Sequence, residues 1–334
     1  MLVDVIVPIC NIGDIDFKHR TKCLNFSINE FFGKQTNIEI NLIIVEQVIN
    51  RSYDKYVDNI SVPKNIKCEK IVVDYPIFNK PWLYNIGVKK AKSNHLIFTE
   101  SEMYSNQNLY LFSWMNWNII NNYKWSFGWE KIYRTSEEES LCMLSDNEFY
   151  TNDTGQYTIA NKGYSEGGII YWYKPFYNNL GGGNEWMQHL GCIDNEIIYR
   201  ASFITNNYPK YPVDVFHLWH PISMMKKGHS RNVNRTLYYF TKKNPIRTTE
   251  ILKNQSLGNN KPACYEFNYQ NIFEIRSKSK ITRRAFSTKI IKNTNLTRRK
   301  EQYIRETQQA RRKRRIKEDE IKKEDWKRIH GIEL

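Results

Sequence analysis

No stretch of this 334-residue chain approaches the roughly 18–20 uninterrupted apolar residues that a membrane-spanning helix requires. The opening Met1-Leu2-Val3-Asp4 has neither the basic nor the apolar region of a secretory signal. Residence in the cytosol is therefore expected. Cysteine is scarce and scattered: the six residues Cys10, Cys23, Cys68, Cys142, Cys192 and Cys264 form no C-x-x-C pair, which excludes a disulfide framework and a cysteine-rich zinc site. No internal repeat is present. Disorder of the whole chain is excluded by its 40% hydrophobic and 14% aromatic content. The abundance of Asn, Ile, Lys and Tyr fits an AT-rich coding genome, viral or bacterial.

The formal charge is +15, from 50 Lys+Arg against 35 Asp+Glu. Residues 276–334 hold 21 of the basic and 8 of the acidic side chains, a net of +13, and residues 1–275 carry only +2. The organisation expected is a large body over 1–275 followed by a basic tail over 276–334, with a helix at 298–328. Arg311-Arg312-Lys313-Arg314-Arg315 would gain affinity for a polyanion through counterion release. The acidic residues of 318–325 instead suit a solvated or partner-docking helix. Attachment to nucleic acid, another polyanion, a protein partner or an anionic membrane surface is open for this tail.

Within the body, β-branched runs alternate with helical patterns. Strands are expected at 3–8, 41–46, 70–73 and 95–99, with helices around 24–32 and 81–92, as in a parallel sheet covered on both faces. Further on, the expectations are an aromatic-rich helix at 106–122, one strand over 125–133, a polar connection over 134–166 and a strand at 167–172. One or two turns at 174–180, a helix at 193–204 and a strand over 213–221 complete the body. In such sheets ligands bind beyond the carboxyl ends of the strands.

Three groups of residues there could carry chemistry. Glu100-Ser101-Glu102 follows a strand and offers oxygen ligands for a hard cation, although a solvated helix start is the plainer reading. His217 and His220 lie three apart; on a continuing strand they would face opposite sides, so they share a centre only if the strand ends between them. Asp194 opens a helix, where it could cap the N-terminus or act as a general base.

The order of these motifs resembles the nucleotide-sugar-dependent glycosyltransferases of the GT-A fold, particularly the branch with β-1,4-galactosyltransferases and polypeptide N-acetylgalactosaminyltransferases. The similarity covers roughly residues 1–235. It runs through Val3 to Pro8, Ile43 to Gln47, Phe78-Asn79-Lys80 with Asn85-Ile86-Gly87, the acidic triplet in the place of Asp-x-Asp, Gly167-Gly168 through Glu196, and Phe216 to Pro221. The resemblance implies an α/β architecture, a mostly parallel Rossmann-like sheet flanked by helices. A nucleotide-sugar half would occupy about 1–105 and an acceptor half about 106–235.

By the same resemblance Pro8, Glu46, Phe78, Lys80, Glu100 and Gly168 would hold a UDP-sugar. Glu102, His217 and His220 would bind Mn²⁺ or Mg²⁺, Asp194 would be the catalytic base of an inverting transfer, and Trp186 and Asn195 would meet a carbohydrate acceptor. Trp186 has ordinary packing as its plainer reading. Two departures stand out: both acids of the metal motif are one methylene longer here, and Ile193 occupies the place of an acceptor-holding Glu. The rival expectation is an inactive transferase-fold module that binds nucleic acid or another polyanion through the tail.

Overall fold

The structure, a computed structural model, describes residues 1–11, 17–159, 167–189, 191–221 and 229–263. The basic tail and its helix lie outside the described residues, as does Cys264.

The body is a mixed α/β fold with two sheets. The first strands are β1 (Leu2–Asn11), β2 (Glu39–Val48), β3 (Lys67–Asp74) and β4 (His95–Thr99). β1 pairs in parallel with β2 and β4, and β2 with β3. Two later strands, β6 (Trp125–Phe127) and β9 (Ile169–Tyr173), extend this sheet antiparallel to give the order β3-β2-β1-β4-β9-β6. Continuous Val/Ile/Leu runs build β1 and β2 because both faces are covered; from Val3 to Val7 and from Leu42 to Val45 every residue is buried. Pro8 is tolerated inside β1 because pairing with β4 stops at Ile6, while pairing with β2 continues.

Helices cover the sheet. α1 (Phe17–Phe26) continues into a π-helical stretch, Ser27–Phe32, that closes at Gly33. α2 (Lys80–Lys90) starts with Asn79 as its cap, whose side chain accepts a hydrogen bond from the Trp82 amide, and Pro81 follows in the first turn. α3 (Tyr110–Ile120), α5 (Lys174–Asn179), α6 (Ile193–Thr205), α7 (His229–Lys243) and α8 (Pro245–Lys253) complete the layers. Trp82, Trp114, Trp125, Trp129 and Trp172 are all fully buried in the core.

A second sheet runs in the order β5 (Met103–Tyr104), β10 (Asp214–His217), β7 (Lys131–Arg134), β8 (Gln156–Ile159). Three expectations change here. The strand over 125–133 is two strands in different sheets, broken at Gly128-Trp129-Glu130. The connection over 134–166 contains α4 (Glu137–Asp146) and β8. The strand over 213–221 is only Asp214–His217, because its pairing with β5 and β7 ends at His217. Among the described residues no helix is long and apolar enough to cross a membrane.

Candidate active site

The site forms where β4 ends. After Thr99 the chain turns, with the Glu100 amide donating to the Gly168 carbonyl at 3.0 Å. It then re-enters as β5, where Met103 pairs with His217 and the Leu218 amide donates to the Glu102 carbonyl at 2.9 Å. This ladder brings two sequence segments more than a hundred residues apart onto one carboxylate loop. Gly168 has a φ of +99° and faces Ile132 and Trp129, so only glycine fits that backbone without strain. A side chain at Gly167 would meet Glu100 Oε1 at 2.9 Å and Asp194 Oδ2 at 3.3 Å.

Two charge centres lie here. In the first, Lys80 Nζ is 3.0 Å from Glu100 Oε1 and 3.1 Å from Asp194 Oδ2. The Lys80 side chain is only 11% exposed, while Glu100 and Asp194 keep 27% and 25%, so both carboxylates remain reachable from solvent. Burial works against charge on Lys80, but Asp194 and Glu100 outweigh it and hold its pKa well above the ordinary value. Burial would raise Glu100 too, yet Lys80, His217 and Arg134 hold it at about 2. Asp194 goes the other way: burial, with Glu100 adding to it, pushes its carboxyl up against the pull of Lys80.

In the second centre, Glu102, His217 and His220 each present a ligand atom, all within 4.8 Å of one another. The two imidazole rings are 5.3 Å apart at their centroids, since the strand ends at His217 and the chain turns before His220. His217 Nδ1 lies 2.9 Å from the Leu218 carbonyl, which fixes its proton there and leaves Nε2 facing Glu100 Oε2 at 3.7 Å. Burial lowers the His217 pKa against the opposing pull of Glu100 and Glu102. Glu102 is held below its ordinary value despite burial, through His220, Arg20 and His217. One carboxylate and two imidazoles, one oriented by a backbone carbonyl, form a donor set that fits a divalent transition metal.

The other residues singled out in the sequence are distributed unevenly. Lys80 and Glu100 meet Asp194 directly, and Gly168 anchors Glu100 by its carbonyl. The Phe78 carbonyl accepts from the His189 amide at 2.7 Å. Glu46 is 1% exposed, and its two oxygens accept from the Tyr56 and Val57 amides at 2.8 and 2.9 Å. Its carboxylate therefore organises the turn at Tyr56–Asn59. Pro8 is buried within β1, paired with Val45.

Asp194 is the second residue of α6, but the cap position belongs to Cys192 and makes no side-chain cap bond; Asp194 turns to Lys80 instead. Asn195 beside it is half-buried. Ile193 is buried with Met187, Leu237 and Tyr238, and Trp186 packs partly against this cluster. The apolar residue at 193 thus anchors α6. Sequence reasoning missed Arg20, which reaches Glu102 from α1 at 2.8 Å.

No family model matches the chain, and no curated protein matches it. Among solved structures it is similar to S. aureus TarS 1-349 in complex with UDP-GlcNAc, with 14% identity and a TM-score of 0.44 over 72% of this chain and 66% of that one. It is also similar to the mannosyltransferase PcManGT from Pyrobaculum calidifontis in complex with GDP-Man and Mn²⁺, with 11% identity and a TM-score of 0.43 over 73% and 64%. The chain spans slightly less than two thirds of the length of each.

Proposed function

We propose that the chain is a metal-dependent, inverting glycosyltransferase that moves a sugar from a UDP-sugar to an acceptor hydroxyl on a glycan or another acceptor. The observation that carries this reading is the adjacency of the two centres: Glu102, which joins His217 and His220 in a metal-type donor set, lies two residues after Glu100, which shares Lys80 with Asp194. Mn²⁺ suits two imidazoles and a carboxylate better than Mg²⁺, which favours an all-oxygen shell. Held by Glu102, His217 and His220, such an ion would stabilise the negative charge that develops on the departing diphosphate.

The chain's own side chains supply the rest. Asp194, with its raised pKa, takes the proton from the acceptor hydroxyl as it attacks. Glu100, held near 2, stays an anion at neutral pH and is a poor proton acceptor. Environments that push two neighbouring carboxyls apart assign their roles. Lys80 orients both and keeps Asp194 ionised until substrate enters. Attack from the face opposite the diphosphate inverts the anomeric carbon.

The nucleotide is proposed to lie across the strand ends, near Phe78, Lys80, Glu100 and Gly168. Pro8 and Glu46 support that floor from within β1 and β2. Trp186 and Asn195 flank Asp194 in sequence and are proposed to border the acceptor. The test is a panel of UDP-sugars incubated with the full chain and Mn²⁺, with UDP release measured with and without candidate glycan acceptors. Release from at least one donor is expected; no release from any donor, at any Mn²⁺ concentration, overturns the reading.

A further inference from the structure

Lys80 and Tyr84 stand about one helical turn apart on α2, so their side chains share a face. The Tyr84 ring lies flat against Phe98 of β4, with centroids 4.1 Å apart and planes inclined by 6°. Phe98 in turn meets Tyr177 edge-on at 5.0 Å. On the side of the charged centre, Lys80 Nζ lies 5.8 Å from the middle of the Tyr84 ring. The ring is thus held between β4 and Lys80, and a phenylalanine would pack there equally well. Packing leaves the hydroxyl unexplained.

Tyr84 is only 7% exposed, and among the described residues nothing hydrogen-bonds its hydroxyl. Buried polar groups are ordinarily paired, so an unpaired one calls for a reason. The wholly enclosed side-chain atoms without a partner belong to Ser27, Trp129, Trp172, Thr249 and Gln255. The Tyr84 hydroxyl is not one of them and therefore keeps a narrow contact with solvent. Lys80, Asp194 and Glu100 are the charged groups that act on it. Burial raises its pKa against the pull of Lys80, so at neutral pH it is a phenol that can both donate and accept.

We propose that the Tyr84 hydroxyl hydrogen-bonds a hydroxyl of the transferred sugar and so takes part in selecting the donor. The assignment rests on the glycosyltransferase reading above. Lys80 shares its ammonium between the carboxylates of Glu100 and Asp194, so with both ionised the charges beside Tyr84 are negative on balance. Such surroundings repel a phosphate and suit an uncharged polyol. Tyr84 is also more deeply buried than either carboxylate. Its hydroxyl therefore belongs to the floor of the site, which the sugar of a bound donor meets before an acceptor enters.

The experiment is calorimetry of the full chain in Mn²⁺ with UDP, UDP-glucose, UDP-galactose and UDP-N-acetylglucosamine. It is run on the wild type and Tyr84→Phe, both checked for folding by circular dichroism. The substitution keeps the stacking on Phe98 and removes only the hydroxyl. UDP should bind both proteins alike. The UDP-sugar that binds the wild type most tightly should bind Tyr84→Phe about 2- to 12-fold more weakly, the usual worth of one neutral hydrogen bond. Monodeoxy analogues of that sugar locate the contact: one of them should bind the wild type no better than the variant, because analogue and substitution then remove the same bond.

Unchanged affinity of Tyr84→Phe for every UDP-sugar overturns the proposal. A loss shared equally by UDP overturns it too, since the contact would then lie on the nucleotide, as does an effect confined to the KM of the acceptor. If UDP-sugar affinity holds while the acidic limb of the rate profile moves, Tyr84 acts through Lys80 and touches no substrate. The glycosyltransferase reading survives each of these results. If neither UDP nor any of the UDP-sugars binds the wild type in Mn²⁺, that reading falls and the role of Tyr84 with it.

Discussion

The ammonium of Lys80 lies 3.1 Å from a carboxylate oxygen of Asp194, a residue 114 positions later in the chain. Lys80 opens α2 and Asp194 sits in the first turn of α6. Two helix starts therefore meet through one ion pair. Because Asp194 is the proposed base, Asp194→Asn should lower transfer by about 10²- to 10⁴-fold, the usual contribution of a positioned base. Affinity for UDP with Mn²⁺ should change little. Steady-state rates and a parallel calorimetric titration check this; an equal loss of binding and turnover would point to a structural role instead.

The pH profile follows from the same pair. The base works only when deprotonated, so kcat/KM should fall as pH drops through the Asp194 pKa, which burial raises above its ordinary value. Lys80 opposes that rise. Lys80→Met should therefore lower the overall rate and also move the acidic limb of the profile to higher pH. A limb that stays in place, or moves to lower pH, would contradict the coupling.

Stability rests on a different buried pair. Arg200 and Glu196 are both fully buried on α6, joined at 2.8 Å. The Arg200 guanidinium also donates to the carbonyls of Leu180 and Gly182, so it fastens α6 to the glycine-rich turn after α5. Arg200→Leu would leave Glu196 charged without its partner, and a loss of about 3–5 kcal/mol is expected. Urea unfolding followed by circular dichroism measures it. A loss below about 1 kcal/mol, the scale of an exposed ion pair, would show that Thr241, which also bonds Glu196, suffices.

Much of the parallel sheet was legible because β1, β2 and β4 are continuous apolar runs, and a strand buried on both faces has no other way to be written. The second sheet was harder. Residues 125–133 are apolar enough for one strand, but Gly128 brings the chain against Tyr110 and Trp114, contacts that no local pattern announces. α4 was readable and was missed: Ser136 and Glu139 form a capping box, a spacing that marks a helix start.

For the site, residue types showed which groups could bind a metal, but not whether His217 and His220 share a centre. That depended on where β10 stops, and the β5–β10 pairing decides it. Arg20 carried no signal at all, since its partners Glu102 and His220 are 82 and 200 residues away.

The central claim is that a metal held by Glu102, His217 and His220 binds the nucleotide. Its most direct test is calorimetry of UDP binding to the full chain in Mn²⁺ and again after EDTA, for the wild type and Glu102→Gln. The predicted result is that UDP binding to the wild type weakens sharply in EDTA, and that Glu102→Gln in Mn²⁺ resembles the wild type without metal. UDP affinity that is the same in Mn²⁺ and EDTA would contradict the account.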